Sequence, residues 1–137
     1  MPNHIINDLA ALLRAEATIS ALVGTKVFGF HVPEEFGPPF VVIEQISSDE
    51  MLALDGTYGM RMIEVDIDCK ASRSVTSTEI SRVVRAYLQD YSGTAGDHNI
   101  DAVLLRSERT QYEPPTDKSD VGIYTTLLDF SIQHTPA

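Results

Sequence analysis

Residues 60–71 carry the tightest constraint in the chain. Ile63, Val65, Ile67 and Cys69 alternate there with Met62, Glu64, Asp66, Asp68 and Lys70. Successive side chains of a strand point to opposite faces, so this period-two pattern predicts a strand with one apolar and one polar face. Such a strand belongs to a sheet covered on one side, the usual condition of antiparallel sheets. The remaining segments must supply the cover.

Ile5, Leu9, Leu12 and Leu13 recur at helical spacing beside Ile6, with Asn3 placed to cap and Asp8 near the positive end of the dipole. A second short helix is predicted after a break near Ala17 and Thr18. Thr18 is its cap, Ile19, Leu22 and Val23 its apolar side and Gly24 its stop. Residues 26–31 read as a short extended piece, and residues 40–46, rich in β-branched side chains, as a strand. Thr76 and Glu79 have capping-box spacing. Ile80, Val83, Val84, Tyr87, Leu88 and Tyr91 then form one apolar stripe of a helix ending at Ser92 and Gly93. Residues 100–110 and 122–134 read as strands, with Tyr124, Leu128, Phe130 and Ile132 mostly on one face of the last. Single-striped helices and single-faced strands predict one α+β domain: two layers, an antiparallel sheet of about four to five strands with helices packed on one face. It spans residues 1–137, a length that suits a single domain.

Hydrophobic residues at 43% and charged residues at 22% exclude a mostly disordered chain. Twenty Asp and Glu against ten Lys and Arg leave a formal charge of −10. That balance argues against gripping DNA or RNA by its phosphates, which takes clustered cations. It is compatible with letting nucleic acid slide past. The single Cys69 excludes an intrachain disulfide and a multi-cysteine zinc site. The sequence has neither a run of roughly 18 apolar residues nor a signal-like start, so a cytosolic protein with no membrane contact is expected.

Two predicted loops, 47–59 and 111–121, are long for hairpins, whose connections usually run about 2–5 residues. The first carries Met51, Leu52, Leu54 and Tyr58, the second Tyr112, Pro114 and Pro115. Apolar loop residues either fold back on their own sheet or meet a partner, and both readings stay open. Glu64, Asp66 and Asp68 line one strand face at a spacing of about 7 Å. They form the solvated side of an amphipathic strand or, with further oxygens, a cation site for a metal-dependent hydrolase. His4, His31, His98 and His134 are scattered, and the sequence has no Gly-x-Ser-x-Gly elbow and no phosphate loop. No catalytic residue, metal or cofactor is therefore predicted.

Several stretches in sequence order carry a family resemblance. Leu9, Leu12 and Leu13 lead to Ala21-Leu22-Val23-Gly24 and Val27-Phe28, then to Pro39-Phe40-Val41-Val42-Ile43. Val65-Asp66-Ile67-Asp68-Cys69-Lys70-Ala71, Val83-Val84-Arg85-Ala86-Tyr87-Leu88 and Leu128-Asp129-Phe130-Ser131-Ile132 follow. Together they resemble the tail-completion, or tail-terminator, proteins of long-tailed bacteriophages. The resemblance implies a structural protein of the virion tail or neck, assembled in the host cytoplasm. Such proteins form a ring, commonly of six subunits, on the last ring of the tail tube. The ring ends tube polymerisation and presents the surface that the head connector docks onto, while genome DNA passes unbound through its centre. The implied partners are copies of the chain itself, the tail tube protein and the head connector, and no catalytic residues come with the family. A head-completion or connector subunit is the alternative in the same setting, and a hydrolase built on the acidic strand is the alternative of another class. In a ring, Met51, Leu52, Leu54, Tyr58, Tyr112, Pro114 and Pro115 are expected at partner interfaces. Glu64, Asp66 and Asp68 are expected to line the lumen and repel DNA.

Overall fold

The computed structural model describes residues 4–33, 37–50, 61–114 and 122–136. In chain order the elements are α1 (Ile5–Ala15), α2 (Ala17–Val23), β1 (Val27–Gly29), β2 (Phe40–Glu50), β3 (Arg61–Ala71), α3 (Ser74–Leu88), β4 (Gly93–Ala95), β5 (His98–Glu113) and β6 (Ile123–Pro136). The strands form one sheet in the order β1-β2-β3-β6-β5-β4. The strongly alternating segment is β3, and it lies inside the sheet with β2 on one side and β6 on the other.

The sheet differs from the sequence expectation in two respects. It has six strands rather than four to five, and it is mixed, because β1 runs parallel to β2 while every other pair is antiparallel. β4 has no periodicity to read in three residues. It exists because Gly96 and Asp97 turn the chain so that Ala95 pairs with His98. β1 is parallel because the chain between Gly29 and Phe40 doubles back to the end of the sheet from which β1 started. Residues 47–50 and 111–113, expected in loops, continue the ladders instead. Bulges at Gln45/Ser47 and Leu105/Ser107 shift the alternation and hide those extensions from a period-two reading.

Ile63, Val65, Ile67 and Cys69 are buried as the pattern requires. They join Val41, Ile43, Leu128, Phe130 and Ile132 of the sheet and Ile6, Leu9, Leu13, Ile80, Val84 and Leu88 of the helices in one core. Each such side chain contributes roughly 1.5–3 kcal/mol of gross burial energy. α1 and α3 pack on the sheet, whereas α2 packs chiefly against those two helices. The capping-box reading is corrected. α3 starts at Ser74 with Arg73 as an N-cap that makes no side-chain bond, so Thr76 and Glu79 lie inside the helix. The earlier start lets Ser77 reach the end of β3, where its Oγ donates to Cys69 O at 2.8 Å and meets Thr126 Oγ1 at 2.9 Å. The helix also stops earlier than expected, with Gln89 as C-cap and Asp90 at φ 61°. Glu16, not Thr18, caps α2. Asn3 lies outside the described residues, and His4 caps α1 by accepting from Ile6 N at 3.1 Å.

Asp8, expected only near the positive end of the α1 dipole, is buried. Its Oδ2 accepts from Asp97 N at 2.9 Å and lies 2.6 Å from His98 Nδ1. This clip joins the first helix to the β4–β5 turn across most of the chain. Gly96 sits in that turn at φ +57°, and a Cβ there would strike the Asp8 carboxyl. Gly96→Ala is therefore expected to cost about 2 kcal/mol or more, combining backbone strain with loss of the clip. Asp8→Ala should cost about 1–3 kcal/mol by stranding the Asp97 amide. Urea unfolding of the two variants measures both.

Candidate functional site

The polar face of β3 lies on the side of the sheet away from the helices. Register brings further acids to it. Asp66 pairs with Glu44 on β2 and with Asp129 on β6, so three carboxylates form a row across the strands. Asp68 stands next along β3, opposite Val42 and Leu127. Like charges directly opposite destabilise a sheet. The effect shows in the acidities: partial burial, then Asp129 and Glu44, push Asp66 above the usual carboxylate range. Burial and Glu44 push Asp68 up to about 6, against the pull of Lys70. One oxygen each of Asp68 and Asp129 is buried with no hydrogen-bond partner among the described residues.

Cations meet only part of this charge. Arg106 Nη1 lies 2.7 Å from Glu64 Oε1, and Lys70 Nζ lies 3.7 Å from Glu113 Oε1. The structure thus brings Glu64, Asp66 and Asp68 together on one face, as their alternation predicts, and adds Glu44 and Asp129. Asp129 was legible in principle, because it is out of phase with the buried Leu128 and Phe130. Its position opposite Asp66 follows from pairing alone. Among the described residues no three His, Cys, Asp or Glu side chains are grouped to hold a metal ion.

The expected interface residues fare differently. Met51, Leu52, Leu54, Tyr58 and Pro115 lie outside the described residues. Tyr112 is a strand residue near the end of β5 rather than a loop residue, and it is exposed. Its ring lies 4.8 Å from that of Tyr124 and covers Gly122, where any Cβ would collide with it. Pro114 follows directly and is exposed.

Two recesses flank the core. An open cleft of about 550 Å³ between α3 and β5 is lined by Val75, Arg82, Arg85, Glu108, Arg109 and Thr126, among others. Arg85 Nη1 pairs with Glu108 Oε2 at 3.0 Å, whereas Arg82 and Arg109 have no ion pair among the described residues. A second, of about 390 Å³, lies beside His4, Arg61, His98 and His134. His134 is buried, with both ring nitrogens unpartnered among the described residues. Burial, His98 and Arg61 hold it neutral by lowering its pKa to about 4. Cys69 is buried and its thiol is pushed far up, which suits packing rather than nucleophilic chemistry. No helix among the described residues is long and apolar enough to cross a membrane.

A family model described as tail completion protein gp17 matches residues 7–132. A chain in a solved structure described as "Virion of native gene transfer agent (GTA) particle" superposes with a TM-score of 0.65 at 20% identity. The match covers 98% of this chain and 100% of that one, and it shows a shared fold. No curated protein matches the sequence.

The raised pKa of Asp68 has a consequence for stability. A carboxyl whose folded value, about 6, exceeds the unfolded 3.8 binds its proton more tightly when folded. Its contribution is full below pH 3.8 and is lost as pH rises through about 6. His134 acts oppositely: its contribution is present above 6.5 and lost as pH falls through about 4. Comparing wild type with Asp68→Asn isolates the first effect. The variant should be the more stable at pH 7, and its advantage should shrink at pH 5, as read by thermal unfolding at the two values.

Proposed function

The chain belongs to the tail completion protein gp17 family, and from that premise we propose that it closes the end of a tail tube as a ring. It is a structural protein of a phage-type tail, located in the tail or neck of the particle. In the proposed role copies of the chain, six in the arrangement its resemblance implies, sit on the last ring of the tube. They stop further polymerisation and present a joining surface to the head connector. The observation that carries this reading is the family match over residues 7–132. The shared fold with a chain of a gene transfer agent virion supports it.

The physical features agree with work done by shape and charge. The row Glu44, Asp66 and Asp129, with Glu64 and Asp68, makes a face that repels a polyanion. Turned toward the ring axis, it would keep DNA mobile, because repulsion acts over a Debye length of about 8 Å at physiological salt. Tyr112 and Pro114, and in the sequence Met51, Leu52, Leu54, Tyr58 and Pro115, are the proposed contacts to neighbouring copies or to the tube. In the connector alternative the same ring caps a different partner. The family description favours the tail.

Electron microscopy of the protein mixed with purified tail tubes tests the reading. Wild type should add a disc at one end of the tube and block elongation on addition of tube subunits. Replacing Met51, Leu52 and Leu54 with Ser should leave a folded chain that caps poorly. Tubes of normal length with heads attached, made in the absence of this protein, would overturn the reading.

A further inference from the structure

Sheet edges left unpaired recruit other strands, and proteins normally blunt them. β1 is blunted: Arg14 Nη2 donates to Val27 O at 2.7 Å, and His31 N donates to Gly29 O at 2.9 Å. Two longer stretches are not. β4 covers β5 only along residues 98–100, and Asp90 N donates to Val103 O at 3.3 Å. Beyond that point residues 104–113 pair with β6 on one side and with nothing on the other, among the described residues. Likewise β1 covers β2 along residues 41–43, and Phe30 N donates to Ile43 O. Residues 44–50 then have an outer edge with no partner among the described residues.

The two stretches lie on opposite edges of the sheet and at opposite ends of it. Their chemistry is complementary. The β2 stretch, Glu44-Gln45-Ile46-Ser47-Ser48-Asp49-Glu50, carries three acids and no base. The β5 stretch carries Arg106 and Arg109 with Glu108 and Glu113. Arg106, Glu108 and Glu113 are taken up in ion pairs with Glu64, Arg85 and Lys70, which leaves the charge of Arg109, beside the cleft lined by Arg82 and Arg85. Among the described residues Arg82 and Arg109 have no ion pair, although the charge of Arg109 also acts on Asp66. Exposed large apolar side chains gather at the same places. Ile46 lies on the first stretch, Leu104 and Tyr112 on the second, and Val75 at the cleft.

We propose that the open edge of β5, residues 104–113, together with the α3–β5 cleft, receives the β2 edge, residues 44–50, of a second copy of this chain. The inference rests on the ring reading and names the contact that closes the ring. Within one sheet β5 runs antiparallel to β2, as the intervening pairs require. Adding the next copy with its helices on the same side therefore makes an ordinary antiparallel ladder. The contact is head-to-tail, the type that generates closed rings. The acids that the sequence places at positions 49 and 50 are the proposed partners of Arg82 and Arg109. Main-chain bonds provide affinity and the charges provide register and partner choice, as in other strand additions.

Charge reversal at each side tests the contact, read as the fraction of capped tube ends by electron microscopy. Arg82→Glu with Arg109→Glu should reduce capping about tenfold or more, and so should Asp49→Lys with Glu50→Lys. An equimolar mixture of the two variants should restore it, because every junction in an alternating ring then pairs opposite charges. Restoration also shows that both variants are folded. Normal capping by either variant alone overturns the inference and leaves the ring reading standing. Loss of capping without restoration in the mixture also overturns it, since the edge then serves another partner, such as the tube. Failure of wild type to cap tubes removes the ring reading, and this inference with it.

Discussion

Burial of one face of β3 is the constraint on which the rest of the structure depends. β3 is held by ladders on both sides, and Ile63, Val65, Ile67 and Cys69 sit at the centre of the core. A one-residue slip in either ladder would drive Glu64, Asp66 and Asp68 under the helices. Burying unpaired carboxylates costs far more than misplacing an apolar side chain, so the register is strongly specified. α3 reads that register through one small side chain. Ser77 donates to the carbonyl of Cys69, which leaves Thr126 as the donor in their mutual bond, and Thr110 lies 3.2 Å from Thr126. A helix placed by hydroxyl contacts to two strands cannot slide along the sheet without stranding those groups.

The acidic row follows from the same register. Once the apolar residues of β2, β3 and β6 take the helix side, Glu44, Asp66 and Asp129 must meet on the other. The fold carries this repulsion with only partial compensation from Arg106, Arg109 and Lys70. An isolated sheet gains nothing from it. In the proposed role, with this face turned to the ring axis, the same field would keep a polyanion from adhering.

The edges complete this account. Among the described residues the short strands β1 and β4 each cover only one end of a longer neighbour, leaving one open stretch on each border of the sheet. In the proposed ring, closure of copies would remove free edges in the way that closure of a barrel does. The Asp8 clip matters here as well, since it anchors the β4–β5 turn that begins the β5 edge.

Much of the architecture was legible because it rests on periodicity. The alternation of β3, the stripe of α3 and the apolar side of α1 each determined an element, its buried face and the single-sided cover. The partition of charge was legible for the same reason, since Glu64, Asp66 and Asp68 share a phase. Tertiary pairing alone decided the rest. It made β1 parallel, created β4 from three featureless residues and carried Tyr112 into a strand past a bulge that resets the phase. It buried Asp8, which lies outside the apolar stripe of α1, because its partners Asp97 and His98 lie far along the chain. It also set Asp129 and Glu44 opposite Asp66 and, among the described residues, left the borders of β2 and β5 open. Sequence pattern records which way each side chain points, whereas contacts between distant segments depend on how the strands are ordered, and no local period encodes that order.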